Sequence, residues 1–245
     1  MNNTRKNLNI VFIASAASIH SIRWVNFFVN KKNKITIISL VKPSHITINE
    51  LKEFENNVQI FYLNNLINFF KVFTFLKLGK YSLVHIHYLG WHSLLTLFIN
   101  SKSKLIITPW GSDLSQEMNF FKKIWLKFLF RKSNFLICDS KRLVKKSIQF
   151  GMQNKNCMVS MFGVDTDLYK KSRDIFSNEA NYAVGSNRNL EEIYDVKTLL
   201  KAAELICKTR TDINFYIAGN GLLKDNYIKF VKQKKVSSVI FDDEL

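Results

Sequence analysis

No run of this sequence reaches the roughly 18 consecutive apolar residues that carry a helix through a bilayer, so no membrane span is expected. Cysteine is scarce: Cys138, Cys157 and Cys207 are odd in number and far apart. No pair has metal-ligand spacing, which fits a reducing, cytoplasmic compartment. Proline occurs only at Pro43 and Pro109, and there is no internal repeat or low-complexity tract. Acidic residues are in deficit: 19 Asp and Glu stand against 36 Lys and Arg, a formal net charge of +17. That surplus favours anionic partners: a lipid surface, a nucleic acid or phosphorylated small molecules. Part of it is compositional, because Lys, Asn, Ile and Phe are all plentiful.

What is present is a chain of 245 residues, 47% of them hydrophobic. That is enough for one large domain or two small ones with a real core. The N-terminus, MNNTRKNLNIVFIASAAS, has the basic start and short apolar run of a signal peptide. The run continues into SIHSIRW without a clear cleavage context, so it is read as a first buried strand. Short apolar runs then recur at 34–41, 58–63, 82–88, 104–108, 134–139 and 157–162. Most are apolar on both faces, as strands of a parallel sheet covered on two sides must be. Segments 19–31, 64–78, 90–100, 115–132 and 140–150 have helical period and length. Ser140 can cap the last of them and Gly151 can end it. This alternation predicts a doubly wound α/β domain over 1–165. A polar linker follows at 166–178. A second series then begins at 179, with strands at 180–186, 213–219 and 237–242 and helices at 196–208 and 222–235. Three strands make half a doubly wound sheet and would leave an apolar edge uncovered, so the second domain is expected to be incomplete at 245.

Ligands of a parallel α/β sheet bind beyond the carboxyl ends of its strands. After the first strand come Ser15, Ala16, Ala17, Ser18 and His20, then Arg23. The small residues allow close backbone approach, and a helix start offers N–H groups to an anion; an ordinary tight turn is the alternative. After the fourth strand, alternation puts His85 and His87 on one face, with no third residue to make a metal site. After the fifth comes TPWGSDL. Gly111 permits a sharp turn and Asp113 suits a helix cap. If these two strands are neighbours, Trp110 and Asp113 stand beside His87. An aromatic wall, an imidazole and a carboxylate in one cleft suit a polyhydroxylated ligand.

The order SIHSIRWVNFF, YSLVHIHYLG, TPWGSDL, ICDSKRL, FGVDTDLY, SNRNLEEIYDVKTLLKAAELI and FYIAGNGLLKDNY resembles the family-4 retaining glycosyltransferases of the GT-B fold. The resemblance implies two Rossmann-like domains, the first holding the acceptor and the second a nucleotide-sugar donor. It implies that Arg188 meets the donor diphosphate, for which a bidentate guanidinium is suited. It also implies that Gly219 and Gly221 form the donor-side turn, and that Ser15, Ser18, His20, Arg23, Trp110, Gly111 and Ser112 bind substrate. A lysine common in the family six residues after that arginine is replaced by Tyr194. The glycine-rich first loop is SAAS, and a histidine expected at the fifth strand end is Trp110. Asp113 and His87 therefore stand as the candidate catalytic groups. The family's paired glutamates, seven residues apart, do not occur between 180 and 245.

The expected function is transfer of a sugar, with retention, to a polysaccharide or lipid-linked glycan precursor of the cell surface. The alternative is a catalytically inactive fragment. No metal and no cofactor beyond the nucleotide-sugar co-substrate is expected, and no nucleic-acid partner. The segment 119–132, NFFKKIWLKFLFRK, spaces Lys123, Lys127 and Arg131 four apart beside a broad apolar remainder. That pattern fits either a buried helix with a solvated stripe or attachment to an anionic inner membrane face.

Overall fold

The computed structural model describes residues 7–52, 56–115, 118–161, 163–164, 166 and 182–242. It divides into two compact units, Met1–Val164 and Asp165–Leu245. From residue 167 on, the expected linker lies outside the described residues.

The first unit runs β1 (Asn9–Ile13), α1 (Ile19–Asn30), β2 (Lys34–Ser39), α2 (His45–Lys52), β3 (Val58–Tyr62) and α3 (Leu66–Leu78). It continues with β4 (Leu83–His87), a 3-10 helix (Trp91–Phe98), β5 (Lys104–Thr108), α4 (Ser112–Ser115) and α5 (Phe120–Lys132). β6 (Phe135–Cys138), α6 (Lys141–Gln149) and β7 (Cys157–Val159) complete it. All seven strands are parallel, in the order β3-β2-β1-β4-β5-β6-β7. The winding reverses between β1 and β4, and at such a reversal the loops diverge and leave a crevice at the carboxyl ends.

The apolar strands bury both faces. On one face Val11, Ile13, Val84, Ile86 and Ile107 pack under α3, the 3-10 helix, α5 and α6 through Leu76, Leu95, Leu126 and Leu143. On the other, Ile10, Phe12 and Ile37 pack under α1 and α2 through Ile22, Val25 and Leu51. Three helices start where an Asn or Ser side chain accepts a first-turn N–H: Asn65 from Asn68, Asn119 from Lys122 and Ser140 from Leu143. α6 ends at Gly151, whose φ of +103° lies in the left-handed region that glycine tolerates.

Two expectations need correction, and one helix was not foreseen. The segment 90–100 forms a 3-10 helix rather than an α-helix. The helix expected from residue 115 begins at Phe120, after the separate short α4. α2 was not read from the sequence; it is initiated by reciprocal bonds, Ser44 N–H to Thr47 Oγ1 at 2.9 Å and Thr47 N–H to Ser44 Oγ at 3.2 Å.

The second unit runs β8 (Tyr182–Ser186), α7 (Val196–Ile206), β9 (Ile213–Ala218), α8 (Lys224–Gln233) and β10 (Val239–Asp242). Its parallel strands are ordered β10-β9-β8. Leu200 and Val231 from the helices close over Phe215 and Ile217. Among the described residues β8 is an edge strand, with Tyr182 and Val184 exposed.

Candidate functional site

The site begins where β1 ends. The N–H of Ala16 donates to Ser39 Oγ at 2.9 Å, which ties the loop after β1 to the end of β2. Ala16 is fully buried, so this turn needs a small residue but not a glycine. Ser18 has extended geometry before α1 and its side chain makes no capping bond. Ser15, Ala17 and Ser18 line one side of an open cleft of about 330 Å³; His87, Tyr88, His92 and Trp110 line the other.

His85 and His87 do share a face of β4, their rings 4.4 Å apart. Phe12 and Trp24 enclose both. His85 is a satisfied core residue: Nε2 shares a 2.7 Å hydrogen bond with Thr108 Oγ1, and burial pushes its pKa down to about 3. His87 is different. Nδ1 lies 3.3 Å from Ser21 Oγ, but the buried Nε2 has no hydrogen-bond partner among the described residues. Burial, with smaller contributions from His85, His92 and His20, holds His87 well below the usual imidazole range. It is therefore neutral at pH 7, and in either tautomer Nε2 can exchange a hydrogen bond with a hydroxyl.

Trp110 converges on the same space. Its ring lies 6.0 Å from His87, 5.8 Å edge-on from His20 and 6.2 Å from Tyr88. Asp113 does not join them. Oδ2 accepts from Leu89 N–H at 2.8 Å, and Oδ1 accepts from Gly111 and Trp110 N–H at 2.9 and 3.1 Å. Burial raises its pKa while those backbone bonds oppose the rise. The catalytic assignment of Asp113 therefore gives way to a structural one: the carboxylate braces the two turns that carry Tyr88 and Trp110. Gly111, at φ +111°, makes that turn possible. Ser112 opens α4 and does not line the cleft. Arg23 also lies outside it: Nη1 donates to Gly163 O at 3.0 Å, in a neighbouring depression shared with His20 and Trp24. Burial, then Arg23, lowers the pKa of His20.

Two cleft residues were not found by sequence reasoning. Tyr88 has φ +61°, a conformation disfavoured for a bulky side chain and characteristic of functional sites. His92 donates Nε2–H to His87 O at 3.0 Å, and its ring stacks against Tyr88. Neither spacing nor residue type marks these two in the sequence.

In the second unit, Arg188 is exposed just beyond β8, its guanidinium 5.8 Å from the centroid of the Tyr194 ring. Tyr194 thus holds the cation by its ring face at the position where the resemblance expects a lysine. Gly219 and Gly221 lie behind this segment. A Cβ on Gly219 would meet Arg188 O at 2.4 Å, and one on Gly221 would meet Leu190 O at 2.6 Å. Their absent side chains let the turn after β9 close against residues 188–190, where Leu190 N–H donates to Asn220 O at 2.9 Å.

A family model described as glycosyl transferase 4-like matches residues 9–140. No curated protein matches the sequence. Among solved structures, HepE of Anabaena in complex with UDP and glucose superposes with a TM-score of 0.69 at 15% identity, over 96% of this chain and 69% of that one. TarM superposes with a TM-score of 0.66 at 11% identity, over 97% and 77% of the two chains. The lipopolysaccharide outer core galactosyltransferase WaaB, in its apo form, gives 0.62 at 13% identity, over 96% and 67%. At these identities the likeness is one of fold.

Proposed function

We propose, from the premise that this chain belongs to the glycosyl transferase 4-like family, that it moves a sugar from a nucleotide-sugar donor to a glycan hydroxyl. The acceptor is a polysaccharide or a lipid-linked precursor, and the anomeric configuration is retained. The observation that carries this reading is the unpartnered, buried and neutral Nε2 of His87 at the floor of a cleft walled by Trp110. A charged imidazole could only donate; a neutral one can also accept a hydrogen bond from a hydroxyl. The indole offers an apolar face to a sugar ring. In the reaction the acceptor oxygen bonds to the anomeric carbon on the face that the diphosphate leaves, the bond from that carbon to the diphosphate breaks, and the hydroxyl proton passes to the departing diphosphate while neutral His87 orients the hydroxyl. In the second unit the exposed Arg188 guanidinium suits a diphosphate, and in the first the start of α1 suits an anion. The solved structures of HepE hold UDP and UDP-glucose, which supports a uridine diphosphate donor.

The test is release of nucleoside diphosphate from UDP-glucose, UDP-N-acetylglucosamine and GDP-mannose by the purified chain, with glycan-containing membrane extract as acceptor. Turnover is expected with one donor. Misplacing a reacting group costs about 100-fold, so His87→Ala is expected to lower the rate by that factor while leaving donor affinity near its original value. Absence of turnover with every donor, or a His87→Ala variant of full activity, overturns the proposal.

A further inference from the structure

α3, the 3-10 helix and α5 lie side by side on one face of the first unit's sheet. Phe73 of α3 packs on Phe98 of the 3-10 helix at 4.8 Å between centroids. From α5, Trp125 Nε1–H donates to Ser93 Oγ at 2.8 Å, and Lys132 Nζ–H donates to Thr96 O. Their inward side chains fill the core: Val72 and Leu76, then Leu95, then Leu126 and Leu129. What they turn outward is not the polar stripe that a solvated helix face requires. Ile67, Phe70, Trp91, Leu97, Phe121 and Ile124 are all exposed, Trp91 to 86% and Phe121 to 79%. Monomeric proteins rarely leave so many large apolar side chains together on one surface.

The charge on this surface is one-sided. The three elements contain seven Lys and Arg and no Asp or Glu. Lys71, Lys123, Lys127 and Arg131 are exposed among the apolar residues. Lys77 and Lys132 lie over the rings of Phe73 and Phe128 at 5.7 and 5.9 Å. Aromatic and aliphatic groups interleaved with cations match the headgroup boundary of a bilayer: rings enter the acyl edge while ammonium groups stay with phosphates. A second copy of the chain fits less well. A two-fold contact would press this acid-free surface against itself and bring like charges together.

We propose that the outer face of α3, the 3-10 helix and α5 docks the protein on an anionic phospholipid bilayer. No described helix is long and apolar enough to cross a membrane, so docking is peripheral. It extends over three elements the reading first made on segment 119–132 alone. It is independent of the reading of the cleft, because it is measured without turnover.

The test is co-sedimentation of the full chain with phosphatidylcholine vesicles, with and without phosphatidylglycerol. Binding to the anionic vesicles is expected to exceed binding to the neutral ones by at least about tenfold, and to fall as salt screens the cations. Lys122→Glu with Lys123→Glu and Lys127→Glu is expected to abolish that preference. Phe121→Ser with Ile124→Ser is expected to weaken binding to both compositions. These positions lie outside the buried core, and circular dichroism confirms that the variants fold. Equal recovery on both vesicle types overturns the proposal, as does anionic binding that neither variant changes. So does a dimer that Phe121→Ser with Ile124→Ser dissociates in a chain that ignores vesicles.

Discussion

The carboxyl ends of β4 and β5 and the carboxyl end of β8 hold their polar groups by opposite means. At β4 and β5 the groups are buried and already paired. His85 is bonded to Thr108, and Asp113 is bonded to three backbone N–H groups. His87 Nε2 is left without a partner among the described residues. At β8 the cation is exposed, with an aromatic ring beside it and two glycines behind. The first arrangement fixes geometry before a ligand arrives, and unpaired buried groups would penalise any departure from it. The second fixes the backbone and leaves the guanidinium in water.

The largest expected effect tests the buried end. Asp113→Ala removes the acceptor for the buried N–H of Leu89, worth roughly 1–3 kcal/mol when orphaned, and for the part-buried N–H groups of Trp110 and Gly111, worth less each. Stability should fall by about 3 kcal/mol. All four tryptophans lie in the first unit, so tryptophan fluorescence during urea unfolding reports on that unit. An unchanged midpoint would mean that the carboxylate does not brace the turns.

Next in size is a pH effect. His85 is held at about 3, against an ordinary 6.5. Between these values the unfolded chain binds a proton that the folded one refuses, so stability falls as pH falls through 6.5. Down to about pH 5 the loss is about 2 kcal/mol from His85 alone, and His87 adds to it in the same direction. Asp113, whose pKa is raised, works the opposite way: its folded form keeps a proton that the unfolded form has lost, so acid relatively favours folding there. The same fluorescence transition, followed from about pH 7 to pH 5, checks the net fall, and a flat profile would contradict the enclosure of the imidazoles. The smallest effect belongs to the exposed end. Tyr194→Leu removes a ring face worth about 0.5–1 kcal/mol, a two- to fivefold loss of affinity for UDP by titration calorimetry. A larger loss would show that Arg188 depends on more than the ring.

Strand positions were legible because seven short apolar runs recur; the five inner strands are largely buried on both faces, and the edge strands β3 and β7 less so. α2 was not: among its described side chains Leu51 is the buried apolar one, and its start rests on a local Ser44–Thr47 exchange. The candidate site was legible by residue but not by role. Alternation put His85 and His87 on one face. Only tertiary packing shows that Thr108 satisfies the first and leaves the second with a free nitrogen. Asp113 was noticed for its carboxylate, yet sequence cannot reveal that backbone amides occupy both oxygens. Tyr88 depends on a left-handed backbone angle that its residue type does not announce. Arg188 was found by resemblance, whereas the use of Tyr194 as its rest required coordinates.

The turn at Gly90 has a mechanical consequence. Trp91 stands almost wholly in the open, and the next residue, His92, lines the cleft. Consecutive α-carbons are about 3.8 Å apart. Whatever the indole rests against is thereby registered to the cleft wall through one peptide unit, a spacer that cannot stretch.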